Sequence, residues 1–128
     1  MLLNLLSQYL DSIENAISTL ADSYVEHYNE EIITSNRINL KIRIRFLSGH
    51  LLELNEAVIV EEEGNIKHLS YRYHFQDGQN NLVFRYDNTP HFQEIESFPH
   101  HKHIQNEVIA ADKPSILHII EEASLIVL

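Results

Sequence analysis

INLKIRIRF, Ile38 to Phe46, alternates without a break: Ile38, Leu40, Ile42, Ile44 and Phe46 take one side, and Asn39, Lys41, Arg43 and Arg45 the other. A period of two is that of a β-strand, whose successive side chains leave opposite faces. An apolar face backed by a charged one describes a sheet covered on one side only, as antiparallel sheets commonly are. SGH marks a turn at Gly49, so this strand and Leu51 to Val60 form a hairpin. EEEGN, Glu61 to Asn65, marks the next turn; strands Ile66 to Gln76 and Asn81 to Asp87 follow, joined through DGQN. A weaker strand, Tyr24 to Thr34, precedes them.

The cover for such a sheet stands at the N-terminus. Leu2, Leu5, Leu6, Tyr9, Leu10, Ile13, Ala16, Ile17 and Leu20 recur at three- and four-residue steps, which predicts an amphipathic helix over roughly residues 2–21 with Asp11 and Glu14 outward. SILHIIEEASLIVL fits a C-terminal helix with Pro114 near its first turn, although Ser124 to Leu128 also reads as a strand. The expected fold is α+β: an N-terminal helix, an antiparallel sheet of about five strands in meander order, and a C-terminal helix, all in one domain over 1–128.

Composition narrows the class. A chain of 128 residues with 44% hydrophobic and 22% charged residues suits one soluble globular domain. There is no cysteine, which removes disulfides and thiolate zinc sites, so any metal must take His or carboxylate ligands. No apolar run approaches a membrane span, and MLLNLLSQYL has neither a basic start nor a small-residue cleavage site, so a cytoplasmic protein without membrane contact is expected. A net charge of −10 opposes general attraction to nucleic acid. Its distribution qualifies that: eight of the nine basic residues and seven of the nine histidines lie within 37–105, while residues 1–36 carry six acidic residues and no Lys or Arg.

The second hairpin holds the chemistry. Around YRYHFQD and LVFRYDN, Leu69, Tyr71, Tyr73 and Phe75 alternate onto one face and Leu82, Phe84 and Tyr86 are expected to share it as the core face, leaving Arg72, His74, Arg85 and Asp87 on the other. With DGQN as a four-residue turn, Gln76 pairs with Asn81, His74 faces Val83, Ser70 faces Asp87, and Arg72 lies opposite Arg85. Like charges directly across a ladder repel, so Asp87, a bound phosphate or an acidic partner is needed between them. The loop 88–99, bounded by Pro90 and Pro99, can return His91 and FPHHKH (Phe98 to His103) to that face. Imidazole exchanges protons near neutral pH and guanidinium grips phosphate bidentately. Such a set suits metal-independent RNA cleavage: one His removes the 2′-OH proton, Arg stabilises developing charge, and a second His protonates the leaving oxygen. The rival is a three-His metal site from His101, His103 and either His74 or His91. The bland alternative is that these histidines cap loops and the arginines splay into solvent.

YRYHFQD, FRYDNTPH and FPHHKH, in that order, resemble the TumE family of toxin–antitoxin proteins, most strongly over residues 69–103. The family pattern carries a second histidine after its NxPH motif; here that position is Phe92. The resemblance implies a small toxin of a type II module, held inactive by a co-encoded antitoxin protein, that acts as a ribonuclease or otherwise blocks translation. From the physical argument, His74, Arg85, Asp87, His100, His101 and His103 are the expected catalytic residues, with Arg72, His91 and Lys102 binding RNA. No cofactor is expected, and homo-oligomerisation stays open. A non-enzymatic binding module and a His-ligated hydrolase remain the alternatives.

Overall fold

A computed structural model describes residues 2–128. Helix α1 (Leu2–Ser18) is followed by strands β1 (Ser23–Thr34), β2 (Arg37–Phe46), β3 (Leu51–Val60), β4 (Ile66–Gln76), β5 (Leu82–Asp87), β6 (His101–Ile104) and β7 (Glu107–Ala110), and helix α2 (Ile116–Val127) ends the chain. The strands form one antiparallel meander in chain order, with β1 and β7 at its edges. Both helices cover the same face. Ile13 and Ala16 of α1 and Ile116, Ile119, Ile120 and Ala123 of α2 pack on Leu40, Ile42, Ile44, Leu52, Leu54, Tyr73, Phe75, Phe84 and Tyr86. Neither helix is long and apolar enough to cross a membrane.

The sheet has seven strands where alternation predicts about five. The extra pair, β6 and β7, has four residues per strand, too few for a period to show. Its turn uses Gln105 at a positive φ of 48° instead of the glycine that normally marks a hairpin. Helix α1 stops at Ser18, short of the expected 21, because Thr19 and Leu20 close it with tight backbone bonds to the Ala16 and Ile17 carbonyls. Ser115 caps α2 by accepting from the His118 N–H, and the helix continues through Ser124 to Val127 where a strand was the alternative.

The β4–β5 register also differs. Arg72 pairs with Asp87 and His74 with Arg85, so the two arginines are not opposed. The cause lies in the turn. The Asp77 N–H donates to the Asn81 carbonyl at 2.9 Å, and the Asp77 carboxylate accepts from the N–H groups of Gln79 and Asn81. The loop is therefore one residue tighter than a DGQN turn. Gln76 then pairs with Leu82 but Phe75 with Phe84, leaving Val83 as an extra residue on β5. That bulge restores the alternation, and the net shift is two residues. The aromatics keep their shared face.

A polar cluster joins helix to sheet inside the core. Glu56 of β3 is 4% exposed. It accepts from the Tyr9 hydroxyl of α1 at 2.5 Å and from the Tyr73 hydroxyl of β4, with His68 Nε2 at 3.0 Å. Burial alone raises its carboxyl, but hydrogen bonding and charge from His68 with the bonds from Tyr73 and Tyr9 outweigh it, holding the group below its ordinary 4.5. Burial beside this carboxylate pushes both phenols up.

A carboxylate depressed on folding contributes stability above its ordinary pKa and loses it as pH falls through the folded value. Glu56→Gln is expected to destabilise the fold by about 1–3 kcal/mol at pH 7, read by urea unfolding. The gap to the parent should narrow steadily below pH 4.5; a gap constant down to acid pH would contradict an ionised Glu56.

Candidate functional site

Alternation that sends aromatics to the helices sends their neighbours to the opposite, outer face of the sheet. Glu53, His74, Arg85 and His103 pair in turn across β3 to β6, and Asn55, Arg72, Asp87 and His101 form the adjoining row. The far ends of these rows converge. Asp87 Oδ1 lies 2.9 Å from His101 Nε2, while its Oδ2 lies 3.3 Å from Arg85 Nε and 3.6 Å from His103 Nε2. Arg85 Nη2 donates to His103 Nε2 at 3.3 Å. Asp87 is buried, and its Oδ1 also accepts from the Thr89 N–H. Asn88 bonds Tyr71 N–H and the Leu69 carbonyl with its side chain. Together these contacts hold the 88–99 loop where it leaves the sheet.

That loop folds Phe92 over the cluster, its ring centroid 5.0 Å from that of His101 and 5.8 Å from that of His103. The position carrying a histidine in the family pattern is therefore in direct contact with both imidazoles. His101 is sealed at 2% exposure, with Nε2 2.9 Å from Asp87 Oδ1. Burial and the Arg85 charge lower the pKa of His103; burial does the same to His74. Two neutral imidazoles thus flank Arg85 at neutral pH. His74 shares one nitrogen with Gln76 at 3.1 Å, and its Nδ1 is buried without a partner.

Five of the nine sequence candidates, Asp87, Arg85, His101, His103 and His74, share this region, and Arg72 lies beside Asp87 in the register. Three do not join it. His91 is exposed in the loop and touches the Phe92 ring edge-on. His100 turns to the helix-covered side, where Nδ1 meets the Tyr71 hydroxyl at 2.9 Å. Lys102, between His101 and His103 on β6, points to that side too and pairs with Glu122 of α2 at 2.7 Å, over the Tyr86 ring.

The basic row of β2 divides. Arg43 and Arg45 both grip Glu26 of β1, at 3.0 and 2.9 Å. Lys41 and Arg72 are exposed and make no ion pair among the described residues. With Arg37, Asn39, Asn55 and Thr89, and with Glu31 and Glu56, they line a shallow groove of about 550 Å³. Arg37, Asn39 and Asn55 were not singled out from sequence; the polar side of the β2–β3 alternation was their signal.

A family model described as Toxin TumE matches residues 11–125. No curated protein and no solved structure matches the chain.

Lys102→Ala should lower stability by about 1–3 kcal/mol, because Glu122 is left half-buried without its cation. Arg72→Ala, on an exposed side chain, should stay within about 0.5 kcal/mol. Thermal and urea unfolding of the two variants compares them; equal effects would deny Lys102 its role as an anchor for α2.

Proposed function

The chain belongs to the TumE toxin family, and we propose that it acts in the cytoplasm by cleaving RNA at the outer face of β4 to β6, restrained by a co-encoded antitoxin protein. The observation that carries this reading is the convergence of Arg85, His103 and Asp87 within 3.6 Å of one another, on the sheet face that also exposes Lys41 and Arg72. Lys41 and Arg72 supply local positive charge that the overall −10 conceals.

The chemistry follows from what each group can do. A phosphodiester laid along Lys41 and Arg72 brings a phosphate to Arg85. A neutral imidazole, His74 or His103, takes the proton from the ribose 2′-OH as that oxygen bonds to phosphorus. Negative charge grows on the non-bridging oxygens, where the guanidinium of Arg85 stabilises it. The bond to the 5′-oxygen breaks, and that oxygen takes a proton from an imidazolium or from water. The products are a 2′,3′-cyclic phosphate and a 5′-hydroxyl end.

Purified toxin incubated with total RNA should give fragments with those ends, and Arg85→Ala should slow cleavage by roughly 10²–10³-fold and relieve growth arrest. Intact RNA under conditions in which the protein arrests growth would favour a non-catalytic block of translation.

The antitoxin, in this reading, silences the toxin by placing acidic side chains on Arg72 and Arg85. Losing one buried, hydrogen-bonded partner of such a pair costs about 2–5 kcal/mol, so Arg85→Ala should weaken antitoxin binding by that amount in titration calorimetry. Unchanged affinity with lost toxicity would place the antitoxin elsewhere, such as on α1 or the free edge of β1.

A further inference from the structure

The Asp87, His101 and His103 group has too few donors. His101 Nδ1 lies 2.9 Å from the Pro99 carbonyl, and a carbonyl only accepts, so this nitrogen carries the ring proton. When the ring carries that one proton, its Nε2 presents a lone pair. It is fully enclosed and makes no hydrogen bond, since the 2.9 Å approach to Asp87 Oδ1 is off the bonding direction. His103 Nε2 accepts from Arg85 at 3.3 Å, and guanidinium only donates, so this nitrogen is a lone pair as well. The Arg85 guanidinium faces these acceptors, with Arg72 paired beside Asp87 in the register, and the Arg85 Nε is buried without a hydrogen bond although Asp87 Oδ2 is 3.3 Å away.

Two imidazole nitrogens and a carboxylate oxygen, all within 4.8 Å of one another, make a ligand set for a divalent transition metal with positions left open. Ligands about 2.0–2.1 Å from a tetrahedral zinc stand about 3.3 Å apart. The carboxylate stands at comparable range of both rings, with Oδ1 2.9 Å from His101 Nε2 and Oδ2 3.6 Å from His103 Nε2. The supports that metal sites use are present: Pro99 fixes the His101 tautomer and ring, and the Thr89 N–H holds Asp87 Oδ1 at 3.0 Å. Phe92 closes one side against water.

We propose that Asp87, His101 and His103 bind a divalent transition-metal ion of the zinc class, for which the Arg85 guanidinium competes at the same atoms. Asp87 takes the place that sequence gives to His74 or His91 in a metal site. The ion's open positions accept a water or a phosphate oxygen, and with His103 engaged His74 is left as proton acceptor. This catalytic consequence rests on the RNA-cleaving reading; binding of the ion does not.

The test is titration of full-length, chelator-stripped protein with zinc(II) by calorimetry and with cobalt(II) by visible absorption. One equivalent should bind, and cobalt should show the absorption of a low-coordinate nitrogen–oxygen site. His103→Gln, at a partly exposed position that tolerates the change, should weaken binding by more than roughly 100-fold, since groups that merely orient ligands are worth about 10–100-fold. Asp87→Asn should weaken it as well, with circular dichroism confirming the fold of both variants. Arg85→Gln should tighten binding several-fold by removing the competing cation, and His118→Gln should leave it unchanged. Absence of stoichiometric binding, or equal affinity in His103→Gln and the parent protein, overturns the site. Zinc bound without RNA cleavage keeps the site and rejects the ribonuclease reading. Cleavage that persists in chelator by a protein that binds no zinc does the reverse.

Discussion

Tyr73, Phe75, Phe84 and Tyr86 dictate where every polar group of the second hairpin goes. All four are buried under the helices, and each is worth about 1.5–3 kcal/mol out of water. A slip of β5 by one residue would expose Phe84 and Tyr86 and drive Arg85 and Asp87 into the core. The tight Asp77 turn by itself imposes that slip, and the extra residue at Val83 undoes it. Parity then passes to β6, because Asp87 pairs with His101 and Arg85 with His103. The same step turns Lys102 inward to Glu122 and so ties α2 to the sheet. One packing requirement therefore positions the outer-face cluster and docks the second helix.

The two faces handle charge differently. On the inner face Glu56 is held by Tyr9, Tyr73 and His68 and Lys102 by Glu122, while Lys113 lies over the Tyr71 and Tyr73 rings without an ion pair among the described residues. On the outer face Glu26 neutralises Arg43 and Arg45 near the β1 edge. Moving from β2 toward β5, Lys41 and Arg72 stay exposed along the groove. Exposed cations thus remain on this face of a chain whose net charge is −10.

Local periodicity made most of the fold legible. INLKIRIRF and the Leu2 to Leu20 repeat each specify an element and its buried side from a dozen or so residues, and α1, α2 and β1 to β5 follow. β6 and β7 were not legible, because four residues cannot establish a period and Gln105–Asn106 lacks turn chemistry. Contiguity misled in FPHHKH, which looks like one cluster in sequence. An extended strand splits it: His101 and His103 go one way, Lys102 the other, and His100 falls before the strand begins. The outward set Arg72, His74, Arg85 and Asp87 was legible from parity alone, but its cross-strand partners were not, since those turn on whether Asp77 closes a three- or a four-residue turn. Glu56 had a local signal, lying in phase with Leu52 and Leu54, but its partners stand 47 and 17 residues away in the chain.

Two buried carboxylates on opposite sides of one sheet show how structure and chemistry separate. Glu56 receives hydroxyl bonds from two tyrosines with an imidazole nitrogen alongside, and those contacts join α1, β3 and β4; it is what a fold needs from a buried charge. Asp87 is enclosed beside two imidazole rings and a guanidinium, and the atoms facing it include two buried nitrogens without hydrogen bonds. For stability alone this second arrangement is a poor solution, because apolar side chains of similar volume commonly serve as well as a buried ion cluster, or better. Unsatisfied buried polar atoms are uncommon and call for a specific cause. Among the described residues five such atoms occur: Arg85 Nε and His101 Nε2 beside Asp87, His74 Nδ1 in the neighbouring row, and Arg37 Nε and Asn39 Oδ1 on β2, all on the outer side of the sheet's alternation.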